Sequence, residues 1–260
     1  MTFAWQGFQI EHPDDWAPAS CTGKREEGYV RIASPDTLSY QIRWRAVKSK
    51  VDLSHVLSEY LRLLARDAKK AKASFSSHTE QRDNAWHYSW KGLGNGKGQL
   101  QVVDNLAFFI ETSANTNRSL NSPHRALVES FKVNSDELEP WAIFGLAVRI
   151  RPGMNLTRQM FQSGRTRLEW EDKLGRIIAE RWGFGEQILA KHTFESWARE
   201  ALEMRTAVAT EVENRWEFTL DKPLSKLRGF ARFDPDRNQL ITLRSQSRSD
   251  RGTATWDWLT

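Results

Sequence analysis

Arginines alternate with aromatic residues along the second half of the chain, and this is the pattern most suggestive of binding chemistry. On a strand, neighbouring side chains point to opposite faces, so tryptophan and phenylalanine would point inward and the arginines outward. Guanidinium groups bind carboxylates and phosphates in a bidentate manner. The pattern favours a solvated sheet face over an aromatic core, and the alternative is an anion-binding or partner-binding surface. The residues chosen for this surface are Arg165, Arg167, Arg228 and Arg232.

Other residues capable of chemistry do not form a recognisable motif. Glu169 and Glu171 are spaced for one face of a strand near these arginines, which favours solvated ion pairs over acid–base catalysis. No two of the six histidines show a metal-binding spacing. The chain has one cysteine and no serine-hydrolase elbow. The sequence therefore predicts no catalytic residue, no metal and no cofactor.

Two loops resemble known binding loops only superficially. The glycine-rich stretch 92–98 lacks the first glycine and the Ser or Thr of a phosphate loop, so it is interpreted as a hairpin with Asn95 and Gly96 at its tip. The stretch from Asp234 to Asn238 lacks the glycine and glutamate of a calcium loop and is interpreted as a connecting turn.

Composition restricts the class of protein. The 260 residues include 12 Trp, 13 Phe and 4 Tyr, enough to fill a core, so a disordered chain is excluded. No apolar run is long enough for a membrane span, and the N-terminus lacks the pattern of a signal peptide. The formal charge is +5, and the arginine-rich second half, 141–260, gives a mild indication of an anionic partner. We expect a soluble cytoplasmic protein with no membrane contact.

The chain repeats itself at one constant offset through its first strands, which predicts a tandem duplication. The matched pairs are Trp5 with Trp141, Phe8 with Phe144, Gly28 with Gly164, Arg31 with Arg167 and Asp36 with Asp172. The period is longer than that of solenoid repeats. The acidic stretch 135–140 ends in proline and is the predicted linker.

Each half has the pattern of three strands, a helix and three strands. Residues 40–46 alternate apolar and polar side chains, as in a half-buried strand. Residues 53–64 carry an apolar stripe at helical spacing, with Asp52 as the N-cap. Ser122 and Pro123 are predicted to open a last short helix in the first half, whereas the second half is predicted to end in a strand at Trp256–Trp258.

Together these features resemble the PsbP-like fold family. The resemblance rests on the segment Phe8-Gln-Ile-Glu-His-Pro-Asp-Asp-Trp16, on the order of the elements, and on Glu129-Ser-Phe-Lys-Val133. It covers about residues 3–133, and residues 141–248 only through the internal repeat. The family includes the photosystem protein PsbP and Ran-binding Mog proteins, so the resemblance implies a protein-binding module without catalytic residues.

The predicted fold class is α+β. We expect two similar domains, 1–134 and 141–260, each a mostly antiparallel sheet of six or seven strands with helices packed on it, related by a pseudo-twofold axis. The predicted function is non-enzymatic protein binding through the cleft between the domains or through the arginine-bearing face. Two alternatives stay open: binding of nucleic acid or another polyanion through the arginine-rich half, and an enzyme of unknown reaction that uses the cleft.

Overall fold

The computed structural model describes residues 1–48, 51–116, 118–134, 136–213, 215–248 and 256–258, the last of these as backbone only. The chain divides into two compact units, Met1–Asn134 (unit 1) and Ser135–Thr260 (unit 2). The strand pairs in both units are antiparallel, so the prediction of an α+β fold with mostly antiparallel sheets is confirmed.

The described residues of unit 1 form ten strands and two helices. They are β1 (Thr2–Trp5), β2 (Phe8–Glu11), β3 (Ala17–Lys24), β4 (Glu27–Ala33), β5 (Leu38–Ala46), α1 (Leu53–Lys70), β6 (Ser76–Arg82), β7 (Ala85–Lys91), β8 (Asn95–Val103), β9 (Leu106–Ala114), α2 (Asn121–Ser130) and β10 (Lys132–Val133). Strands β3 to β9 form a seven-stranded sheet in the order β3-β4-β5-β9-β8-β7-β6. Strand β2 pairs with β1 on one side and with β10 on the other.

In the part of unit 2 that the structure describes, there are a seven-stranded sheet and two short helices. Its elements are β11 (Glu139–Ile143), β12 (Leu146–Ile150), β13 (Asn155–Gln162), β14 (Arg165–Glu171), β15 (Gly175–Gly183), α3 (Gly185–Leu189), α4 (Phe194–Ala201), β16 (Val208–Val212), β17 (Arg215–Lys222), β18 (Ser225–Asp234), β19 (Gln239–Ser247) and β20 (Trp256–Trp258). The sheet order is β13-β14-β15-β19-β18-β17-β16. Strand β12 pairs with β11 and with β20.

The two large sheets therefore share one topology. In each sheet, a meander of three strands is followed by one or two helices and then by a meander of four strands. The last strand of the second meander pairs with the last strand of the first, β9 with β5 in unit 1 and β19 with β15 in unit 2. A hairpin precedes each sheet, β1–β2 in unit 1 and β11–β12 in unit 2.

Helix α1 forms where the sequence predicted a helix. The Asp52 carboxylate accepts hydrogen bonds from the backbone N–H groups of Ser54 and His55, at 2.9 and 3.2 Å, so the predicted N-cap is confirmed. Leu57 and Leu61 are buried against Tyr88 and Leu100 of the sheet. Helix α2 lies on the other face, where Phe131 at its end contacts Phe8 and Phe108.

Several boundaries differ from the predictions. Strand β11 begins at Glu139, so the last two residues of the predicted linker are buried strand residues. Helix α2 begins at Asn121 with Leu120 as its N-cap, so Ser122 is not the cap. Strand β20 is present at Trp256–Trp258, as predicted, while residues 249–255 before it lie outside the described chain.

The two loops that resemble binding loops have structural roles. The hairpin tip lies at Gly92–Gly94, and β8 begins at Asn95, so the prediction that Asn95 and Gly96 form the tip is wrong. Residues 235–238 connect β18 to β19 as a turn in which the Asp234 carboxylate accepts from the Arg237 N–H. The interpretation of this stretch as a connecting turn is confirmed.

Candidate binding groove

The four arginines predicted to share one surface lie on opposite faces of the unit 2 sheet. Arg165 and Arg167 are on β14, whereas Arg228 and Arg232 are on β18. Cross-strand register through β15 and β19 places Arg165 in one row with Phe233. Because neighbouring side chains alternate along a strand, Arg232 points to the other face. The sequence alone does not show this, because it does not specify the register of the intervening strands.

Arg165 and Arg167 belong to a ladder of ion pairs with buried carboxylates. The Arg165 guanidinium lies 2.7 Å from Glu180, and Arg167 lies 2.7 Å from Glu169. Arg167 also donates to Glu180, and Arg176 to Glu169. We call these five residues the unit 2 ladder. Glu169 is 1% exposed, so the predicted ion pairing is present, but it is buried and not solvated.

On the other face, Arg228 and Arg232 are also only partly exposed. Arg228 donates to the Asp221 carboxylate at 2.6 Å. Burial lowers the pKa of the Arg232 guanidinium. The four residues therefore do not form one basic surface, and a role for any of them in binding stays a prediction.

Unit 1 has a buried carboxylate of a different kind, Glu111 on β9. One of its oxygens, Oε2, accepts hydrogen bonds from the Tyr60 and Tyr88 hydroxyls at 2.8 and 3.1 Å and from the Trp90 indole at 3.1 Å. Burial raises the pKa of Glu111, and these hydrogen bonds with the nearby charge of Arg43 offset only part of that effect. Glu111 is 3% exposed, so it is a structural group within the unit 1 core.

Two glycines of the glycine-rich stretch make this arrangement possible. A Cβ on Gly98 would lie 2.2 Å from the Tyr88 ring, and one on Gly96 would lie 2.2 Å from the Trp90 indole nitrogen. Only glycine leaves room for both rings to lie across β8 and reach Glu111. The glycines therefore serve packing within the sheet.

Three histidines that show no common spacing in sequence line one groove. His78 lies on β6, His87 on β7 and His124 on α2. Residues 78, 80 and 82 alternate along β6 and share one face, and His87 is directly opposite Glu80. The strand alternation of His78 and Glu80 was readable from the sequence, but the approach of α2 was not.

The groove lies between α2 and the β6–β7–β8 end of the sheet, and we call it the α2 groove. Its volume is about 740 Å³. Its strand wall includes His78, Glu80, Arg82, His87, Lys97 and Gln99, and its helix wall consists of Asn121, His124, Arg125, Val128 and Glu129.

The α2 groove has positive charges without acidic partners. Arg82 is neutralised by Glu80 at 2.6 Å. The Lys97 ammonium donates to the neutral amide of Asn121 at 2.8 Å. Among the described residues, no carboxylate lies within 4.0 Å of Lys97 or Arg125. A groove of this kind is complementary to a ligand that brings its own negative charge.

His124 adds an unsatisfied polar group to the groove wall. The residue is 6% exposed, and its Nδ1 is buried with no hydrogen-bond partner among the described atoms. Burial, together with the charges of Lys97 and His87, lowers the pKa of His124 to about 4. The imidazole is therefore neutral at physiological pH.

The described residues contain no group of three or more His, Cys, Asp or Glu side chains arranged to hold a metal ion. The helices of the described ranges are also too short or too polar to cross a membrane.

Comparison with protein-family models finds no match, and comparison with curated proteins finds no significant relative. Among solved structures, the chain is similar to the solution structure of cyanobacterial PsbP (CyanoP) from Synechocystis. The identity is 11%, the TM-score is 0.39, and the alignment covers 52% of this chain and 92% of the other. A similarity of this size assigns no activity, ligand or partner.

Proposed function

We propose that the protein is a non-enzymatic protein-binding module and that the α2 groove holds an acidic segment of its partner. The observation that carries the proposal is the pair Lys97 and Arg125, which line opposite walls of the groove and have no carboxylate partner among the described residues. In unit 2, by contrast, the predicted arginines Arg165 and Arg167 are already neutralised.

The composition of the groove favours a protein segment over nucleic acid. Glu80 and Glu129 also line it and would repel a continuous polyanion, whereas a segment with separated acidic side chains could avoid them. Binding of single-stranded nucleic acid also uses exposed aromatic platforms, and Tyr88, the aromatic residue of this groove, is buried. The nucleic-acid and enzyme interpretations stay predictions without a specific observation in their favour.

We also infer that the two units are copies of one ancestral domain. The identical order of the two seven-stranded sheets and the repeat of Trp5 as Trp141, both fully buried, support this proposal. An experimental structure should allow unit 1 to be superposed on unit 2 with Ile32 on Leu168. A superposition that aligned the strands only out of that register would contradict a duplication. The pseudo-twofold axis stays a prediction.

The groove is tested with a labelled peptide of alternating glycine and glutamate and with its glycine–glutamine and glycine–lysine counterparts. We expect only the acidic peptide to bind, with an affinity that falls as salt rises. Lys97→Glu combined with Arg125→Glu should weaken binding by about tenfold or more, or about 1.4 kcal/mol per tenfold. Fluorescence anisotropy measures the affinity, and an oligonucleotide in the same assay tests the nucleic-acid alternative.

The matched control is Lys24→Glu combined with Lys48→Glu, which reverses two exposed lysines of unit 1 outside the groove. This variant has the same net charge as the groove variant. Equal loss of binding in both variants would show that only net charge matters, and the proposed site would be wrong.

A further inference from the structure

The first turn of α2 forms one end of the α2 groove and has no side-chain cap. Its N-cap residue is Leu120, which offers no acceptor to the first backbone N–H groups. Helix α2 is ten residues long, so its N-terminus has a developed positive potential. Asn121 and Ser122 contribute the first two N–H groups, and Pro123 has none.

Positive side chains lie around this turn. Lys97 donates to Asn121 and so is held at the first residue of the helix. Lys97 and Asn121 also line a second concavity of about 390 Å³, whose walls include Lys91 and Arg118. The turn is therefore flanked by cations on both sides.

His124 supplies the observation that points to a ligand independently of the helix end. A buried ring N–H without an acceptor is more costly than a buried lone pair without a donor. Because Nδ1 is the buried nitrogen without a partner, the favoured neutral tautomer carries its proton on Nε2. His124 is only 6% exposed and lines the groove. Its Nε2–H is then available as a donor to a ligand in that groove.

We propose that the first turn of α2 is a phosphate subsite, in which Lys97, the N–H groups of Asn121 and Ser122, and the His124 Nε2–H bind one phosphate monoester group. A tetrahedral dianion can accept from a helix N-terminus, an ammonium and an imidazole at the same time, which a planar carboxylate does less completely. This inference rests on the proposed function, because it assigns the acidic group of the partner segment as a phosphorylated side chain.

The two carboxylates of the groove leave the subsite free. Glu80 is engaged with Arg82 on β6, and Glu129 lies near the other end of α2. The other nitrogen-bearing side chains named on the groove walls include His78, His87 and Arg125, and none of these side chains carries a negative charge. Charge repulsion at the subsite itself is therefore small.

The test measures binding of inorganic phosphate, and of pentapeptides with a central phosphoserine, glutamate or serine, by nitrogen–proton correlation spectra of the full chain. We expect phosphate and the phosphoserine peptide to shift the amides of Asn121 and Ser122 and the ring of His124. Lys97→Gln should weaken this binding by about tenfold, because it removes a charge-assisted hydrogen bond. Lys24→Gln is the control and should change the affinity less than about twofold.

The outcomes separate the subsite from the proposed function. If the glutamate peptides bind in the groove while phosphate and phosphoserine shift none of these signals, the subsite is overturned and the proposed function stands. If phosphate shifts the three signals but no acidic or phosphorylated peptide binds, the subsite is supported as a site for free phosphate, and the proposed function falls. An equal effect of Lys97→Gln and Lys24→Gln overturns the subsite.

Discussion

The two seven-stranded sheets have the same strand order but stabilise their buried carboxylates in different ways. In unit 1, Glu111 accepts hydrogen bonds from neutral phenol and indole groups. In unit 2, Glu169 is surrounded by guanidinium groups of Arg167 and Arg176. Both glutamates are almost fully buried, so the difference lies in their partners.

The pKa values of the two glutamates move in opposite directions. Burial raises the pKa of Glu111, because neutral donors and one nearby arginine do not compensate for lost hydration. Burial alone would also raise the pKa of Glu169, but the hydrogen bonds and charges of Arg176 and Arg167 outweigh it and hold the pKa below its usual value. The same topology thus accommodates Glu111, which neutral donors stabilise, and Glu169, which charged guanidinium groups stabilise.

The unfolding free energy should be more sensitive to the loss of Glu169, which guanidinium groups stabilise, than to the loss of Glu111. Glu169→Gln removes the carboxylate that pairs with Arg176 and leaves Arg167, which is mostly buried, with Glu180 as its acidic partner, and we expect it to cost about 2–3 kcal/mol of unfolding free energy. The measurement is urea unfolding, with hydrogen exchange of β14 and β15 amides to assign the loss to unit 2.

The control for this prediction is Glu195→Gln, which removes the acid from a half-buried pair with Arg199 one turn along α4. Pairs of this kind contribute about 0.3–0.5 kcal/mol. If the two substitutions cost the same, the unit 2 ladder is no stronger than a surface pair and the comparison fails.

The hydrogen bonds to Glu111 should depend on the glycines of β8, which leave room for the rings of its donors. Gly98→Ala would place a methyl group 2.2 Å from the Tyr88 ring, so the ring must move and its hydroxyl leaves Glu111. We expect a cost of about 1–3 kcal/mol, typical of overpacking, measured by urea unfolding at low and high salt. Because the strain is steric, the loss should be insensitive to salt.

Gly92→Ala is the matched control in the same glycine-rich stretch. Its nearest neighbour would be the Phe75 side chain at 3.1 Å, which can shift. We expect a cost below about 1 kcal/mol. A larger loss for Gly92→Ala than for Gly98→Ala would show that turn geometry, and not room for Tyr88, is the function of these glycines.

Local features of the fold could be predicted from the sequence, while long-range pairing could not. The stripe over residues 53–64 and the Asp52 cap are local patterns, and both are confirmed. The pairing of β5 with β9 joins residues sixty or more positions apart, such as Ile42 and Ile110, and no local pattern specifies it. The sheet face of Arg232 relative to Arg165 depends on such pairings, so the prediction of one arginine surface is wrong for a reason that the sequence does not contain.

The α2 groove could be predicted only in part. Alternation places His78 and Glu80 on one face of a strand, and a hairpin brings His87 opposite. The position of His124 depends on how α2 packs on the sheet, through Leu127 and Phe131. A group of side chains that tertiary packing brings together has no characteristic residue spacing in the sequence.

The smallest expected effect is that of Glu111→Gln, and its pH dependence sharpens the comparison most. Glutamine keeps an oxygen that can accept from Tyr60, Tyr88 and Trp90 and removes the buried charge, so at neutral pH we expect the unfolding free energy to stay within about 1 kcal/mol of wild type. The measurement is urea unfolding as a function of pH, with hydrogen exchange of β9 amides.

The sign of the pH dependence follows from the raised pKa. The unfolded chain ionises Glu111 near pH 4.3, whereas the folded protein ionises it at a higher pH. The stabilising contribution of Glu111 is therefore fully present below about pH 4.3 and is lost as pH rises toward the folded pKa, so Glu111→Gln should gain relative stability over that window.

The pKa of Glu169 is lowered, so its contribution is present above about pH 4.3 and lost as pH falls through the folded pKa. Relative to wild type, Glu169→Gln should therefore be least stable above pH 4.3 and recover as the medium becomes acidic. Shifts of the same sign in both variants would mean that the partners of the two carboxylates do not determine their energetics.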